Sequence, residues 1–155
     1  MADLRAVWPV GDTPSDDISI YEGPRIFMAN YAAAPVKERT VFAAYWLQAE
    51  VLNGGLLQFF SNDTGVLAPE AVAACHAFSM PALAKATEQA MAWFGSPYPR
   101  ERETRQATLA SYLKTHDDGA GPFEALDAEI ADLIYDENGG IERAASHYLG
   151  VVGSS

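Results

Sequence analysis

A chain of 155 residues is close to one ordinary domain, and with 49% hydrophobic residues it can bury a substantial core. Seven Phe, seven Tyr and three Trp exclude the aromatic-poor composition of a disordered chain. Acids outnumber bases 21 to 10, a formal charge of −11, which argues against direct binding to nucleic acid or anionic membrane, since Lys and Arg meet those phosphates.

Residues 1–22 read as an N-terminal arm or loop. Met1–Pro9 lacks a basic segment followed by an apolar run, so no signal peptide is expected. The stretch 9–17 (PVGDTPSDD) holds two prolines, a glycine and three acids. A single domain is expected over 23–150. It begins with a helix from Gly23 to Ala34 carrying Ile26, Phe27, Asn30 and Tyr31. Pro35 suits the start of a second helix, whose broad apolar face is Val36, Val41, Ala44, Tyr45, Leu47, Val51 and Leu52. Asn53-Gly54-Gly55 should end it. Leu56–Phe60 reads as a short apolar helix or turn, closed by Asn62-Asp63-Thr64-Gly65.

Pro69 opens a helix containing Val72, Cys75, His76 and Phe78. Cys75 is the only cysteine, so no intrachain disulfide can form, and a reducing cytoplasmic location is expected. From Pro81 the residues Leu83, Ala86, Thr87, Ala90, Met91 and Phe94 give an amphipathic helix capped by Gly95. After the connector Ser96-Pro97-Tyr98-Pro99, another helix spans residues 100–114. A turn at 117–121 follows. Pro122 starts a helix with the stripe Phe123, Leu126, Ile130, Leu133 and Ile134, ended by Gly139-Gly140. A last helix runs from Ile141 to Leu149, and 151–155 read as a frayed tail. No segment alternates like a strand and none approaches the ~20 apolar residues of a membrane span. The expectation is an all-α single compact domain of about seven helices.

Charge is unevenly placed. Between Lys114 and Arg143 there is no base but nine acids: Asp117, Asp118, Glu124, Asp127, Glu129, Asp132, Asp136, Glu137 and Glu142. On a helical wheel Glu129, Asp132 and Asp136 cluster opposite Leu126, Ile130 and Leu133. Like charges at these spacings cost a few tenths of a kcal/mol each, and solubility alone does not require them. One reading is a solvated face. The other is mimicry of a nucleic-acid strand: carboxylates three or four residues apart lie about 4.5–6 Å apart along a helix, of the order of the ~3.4 Å charge spacing of one DNA strand.

The most distinctive stretch is Glu50-Val51-Leu52-Asn53-Gly54-Gly55-Leu56-Leu57-Gln58-Phe59-Phe60-Ser61-Asn62. Structurally, the glycines permit a tight reversal, Phe59 and Phe60 supply core, and Glu50, Asn53, Gln58 and Asn62 can satisfy backbone groups there. Functionally, Glu50, Gln58 and Asn62 can instead line a polar pocket for a small ligand or an enzymatic reaction. The stretch resembles the signature of a bacterial family of small helical domains, one member of which is a DNA mimic that binds a transcription factor. The resemblance rests on Glu50, Asn53-Gly54-Gly55, Gln58-Phe59-Phe60 and Asn62 and covers roughly residues 35–136. It extends to Ala71–Phe78, Arg102 and Arg105 with Leu109, and Phe123, Leu126 and Asp127 with Tyr135; Leu56 stands where an aromatic is expected. It implies an all-α fold, a dimer, and DNA mimicry in transcription regulation.

Phosphate-binding glycine loops, nucleophile elbows and zinc-binding histidine pairs are all missing. His76, His116 and His147 are isolated, and Asp136–Gly140 lacks calcium-loop spacing. No catalytic residue, metal or cofactor is therefore expected. Arg100, Arg102 and Arg105, interleaved with Glu101 and Glu103, suit a salt-bridged surface or one that meets the acids of a second copy. The leading reading is an acidic module that occupies the basic surface of a DNA-binding protein.

Overall fold

The computed structural model describes residues 17–116 and 121–150. Among them are seven α-helices and no strand: α1 (Pro24–Ala33), α2 (Val36–Ser61), α3 (Ala68–Ala77), α4 (Pro81–Ala92), α5 (Arg102–Thr115), α6 (Glu124–Asp136) and α7 (Ile141–Leu149). Short 3-10 turns, Asp63–Leu67 and Glu137–Gly139, follow α2 and α6. The fold is all-α. Proline stands in the first turn of α1, α3 and α4, where its missing N–H removes no helical bond.

The core is continuous. Phe27 of α1, Leu47 and Phe59 of α2, Leu83 of α4 and Ile130 of α6 are all fully buried. α2 is the centre of the arrangement, packing against α3, α5 and α6, while α4 lies against α3 and α6. Rings seal one end: Phe60 meets Phe94 at 4.9 Å and Phe123 at 5.2 Å between centroids, and Trp93 meets Phe123 and Tyr112. Tilted and edge-on pairs of this kind each add about 0.5–1.5 kcal/mol beyond area burial. Just before α1, Ile18 and Ile20 enter the core, so the end of the expected arm is part of the domain. The rest of that arm (residues 1–16) and the tail 151–155 lie outside the described residues.

α2 is not one straight rod. Gly54 (φ −150°, ψ 16°) and Gly55 (φ 78°, ψ −177°) leave helical geometry. In an unbroken helix residues 50 and 62 would be about 18 Å apart. Here the Asn62 amide donates to the Glu50 carboxylate at 3.1 Å, so the chain bends back sharply at the glycines. Gly55 is the residue that requires it: its φ lies in the left-handed region, and a Cβ there would stand 3.1 Å from both Asp127 carboxylate oxygens.

Candidate functional site

The bend organises the distinctive sequence stretch. Glu50, only 9% exposed, accepts from Gln58 Nε2 at 2.6 Å and Asn62 Nδ2 at 3.1 Å on the same oxygen, Oε2. Asn53 Nδ2 donates to Gln58 Oε1 at 3.1 Å. The four polar side chains thus bond across the break and to one another. Phe59 and Phe60 are fully buried behind them. The bend also frees the N–H of Leu56, and Asp127 Oδ1 of α6 accepts it at 2.7 Å. Asp127 therefore caps the second segment of α2 from 71 residues away. Burial raises the Asp127 carboxyl above its usual range, more than this bond lowers it.

The C-terminal end of the same helix is held by Arg105, which is 0% exposed. Its Nε donates to Phe60 O at 2.9 Å and Nη2 to Asn62 O at 3.0 Å, while Nη1 reaches Pro99 O and Arg100 O. A planar fork of donors suits several carbonyls at once, and a cation at a helix C-terminus also meets the favourable end of the dipole. Burial lowers the guanidinium pKa. Gly65 makes room: a Cβ there would lie 2.6 Å from Arg105 Nε. Arg102 Nε donates to Ser61 O, and the Tyr98 hydroxyl donates to Gly65 O at 2.6 Å. Arg100 forms a two-bond pair with Glu70, and Arg102 pairs with Asp63 at 3.2 Å. The basic cluster of the sequence thus stitches the end of α2 to the 3-10 turn and the start of α5.

The nine acids divide. Asp117 and Asp118 lie outside the described residues. Asp127 faces inward as described. Glu137 also turns inward: its two oxygens accept from the N–H groups of Ala82 and Leu83 at 2.8 Å each, capping α4. Glu142 is half-buried. Glu124, Glu129, Asp132 and Asp136 are exposed, and no ion pair joins them to a base among the described residues. At 100° per residue, Glu129, Asp132 and Asp136 fall within an arc of about 60°, across the helix from buried Phe123, Ile130 and Ile134. Leu126 and Leu133, expected in the centre of the stripe, are only half-buried at its edge. The helix is rolled so that Asp127 can reach Leu56. Tyr135, 51% exposed, also faces solvent.

Two features were not legible as sites in the sequence: complete burial of Arg105 and the capping by Asp127 and Glu137. Both depend on partners more than 40 residues away, which local spacing does not reveal. Cys75 lies in the core, and burial pushes its thiol up to about 12, so it is held neutral and unreactive. His76, His116 and His147 are exposed, and His116 stacks on Tyr112 at 3.7 Å. Among the described residues no His, Cys, Asp and Glu cluster could hold a metal ion, and no helix is long and apolar enough to cross a membrane.

Neither a curated protein nor a solved structure matches the chain. The family model for DMP19-like protein matches residues 32–149, from the end of α1 to the end of α7. That span takes in the bend, the Arg105 knot and the acidic helix, and the chain belongs to the DMP19-like family.

Proposed function

We propose that this chain is an acidic protein-interaction module that mimics a nucleic-acid strand and occupies the basic surface of a transcription factor or other DNA-binding protein. The observation that carries the reading is the arc of Glu129, Asp132 and Asp136 on α6, exposed and without ion partners among the described residues. The arc stands on a helix fixed at its inner face by Ile130, Ile134 and the Asp127 cap. Rigid placement lets charges meet Lys and Arg side chains without a large ordering cost at binding. Carboxylates can replace phosphates as counter-charges, and they carry no base information. Membership of the DMP19-like family supports the same reading. Such a partner would place its work in the cytoplasm, in transcription regulation.

The test is capture of partners from the native host's lysate on immobilised chain, eluted by a salt gradient. A basic DNA-binding protein should leave at moderate salt and be displaced by duplex DNA, because steering between opposite charges is screened. The triple variant Glu129→Gln, Asp132→Asn, Asp136→Asn should lose it. Retention by that variant would sink the reading.

A further inference from the structure

Next to the end of the acidic helix lies a depression of opposite character. It is lined by Ser79, Asn138, Gly139, Arg143, Ala144 and His147, with a volume of about 480 Å³. Its walls come from two places: the α3–α4 connection, and the 3-10 turn leading into α7. They are tied together. Asn138 Nδ2 donates to Phe78 O at 2.9 Å, and Glu137 holds the N–H groups of Ala82 and Leu83. Ser79 (φ 56°) and Asn138 (φ 52°) are the non-glycine residues with left-handed backbone among the described residues, and both line this depression.

Within it the donors are uncommitted. Arg143 and His147 stand one helical turn apart on α7, both exposed. No ion pair or side-chain hydrogen bond engages the Arg143 guanidinium, the His147 imidazole or the Ser79 hydroxyl among the described residues. This contrasts with Arg100, Arg102 and Arg105, whose guanidinium groups are all bonded to protein oxygens. Of the acids at the turn and the start of α7, Glu137 has both oxygens engaged by α4, while Asp136 directly precedes the turn and Glu142 directly precedes Arg143, and none of the three lines the depression. The Arg143 stem is laid along the backbone of Gly139, where a Cβ would stand 2.6 Å from its Cδ. A planar guanidinium with an imidazole and a hydroxyl beside it is a donor set for a tetrahedral oxyanion.

We propose that this depression binds a phosphate group, with Arg143 as the principal contact and His147 and Ser79 as further donors. The volume, within the ~300–1,000 Å³ range of small-molecule sites, leaves room for an organic carrier. A phosphate monoester and free phosphate therefore share the chemistry, and the experiment separates them. The site shares no lining residue with the α6 carboxylate arc, whose last member, Asp136, directly precedes the turn.

The experiment is an amide NMR titration of the full chain, once with inorganic phosphate and once with a nucleoside monophosphate, against chloride at matched ionic strength. Saturable shifts should centre on Ser79, Gly139, Gly140, Arg143 and His147 with one or both phosphates. Tighter binding of the monophosphate would assign the carrier to the depression, and equal binding would assign the phosphate alone. Arg143→Gln should weaken binding about tenfold or more, by the size of a charge-assisted bond. Ser79→Gly, which suits the left-handed backbone, should weaken it less. The Glu129/Asp132/Asp136 triple variant should still bind. Non-saturating shifts, shifts centred on Lys37, Lys85 or Lys114, or full binding by folded Arg143→Gln would overturn the proposal.

Discussion

The bend in α2 and the outer face of α6 are built from similar polar residues under opposite rules. At the bend, Glu50, Asn53, Gln58 and Asn62 bond across the break, and Arg105 spends its donors on backbone carbonyls. On α6, three carboxylates share one exposed arc without an ion partner among the described residues. A buried polar group must be matched inside the chain or it costs stability. An exposed one is matched by water and stays available to a partner. The polar residues of the bend therefore belong chiefly to the architecture, and the recognition proposed for α6 would use a surface that this architecture supports.

Substitution can break this contrast at several levels. Arg105→Ala should have the largest effect on stability, on the order of 4 kcal/mol, because it leaves carbonyls at the end of α2 unpaired in the interior. Urea unfolding would check it, with a loss under about 1 kcal/mol contradicting the knot as a structural centre. Gly55→Ala should cost about 1–2 kcal/mol, through the left-handed backbone and the approach to Asp127.

Asp127 gives a finer test. Asp127→Ala should cost about 1 kcal/mol by loss of the cap to Leu56. Asp127→Asn keeps an acceptor and should cost less. Because burial raises the folded pKa, the folded chain holds this proton more tightly than the unfolded one. The contribution is favourable in acid and is lost as pH rises from about 3.8 through the raised folded value. Urea midpoints measured across that window should fall with pH less steeply in Asp127→Asn than in the parent. The smallest effect belongs to the Glu129/Asp132/Asp136 triple variant, which should be as stable as the parent or a few tenths of a kcal/mol more so. A clear loss of stability there would assign those acids to the architecture instead.

Much of this architecture was visible in the chain. The prolines, the Leu83–Ala90 periodicity and the Gly54-Gly55 punctuation locate the helices and the bend, because each acts through backbone geometry within a few residues. The acidic arc was visible for the same reason. Helical spacing alone could not separate Asp127 and Glu137 from their exposed neighbours, since each faces inward to cap a helix distant in sequence. Arg105 looked like one of three surface arginines, and its burial follows from the close approach that Gly65 permits.

The long reach of the Asp127 cap also bears on the order of assembly. During synthesis, the second segment of α2 emerges with its Leu56 N–H exposed, and the acceptor arrives 71 residues later. The Arg105 bonds to Phe60 and Asn62 close at separations of 45 and 43 residues. The centre of the bundle is therefore completed by chain that follows it, and a nascent fragment ending before α6 carries an unfinished α2. Such non-local closures slow folding relative to a bundle of purely neighbouring contacts.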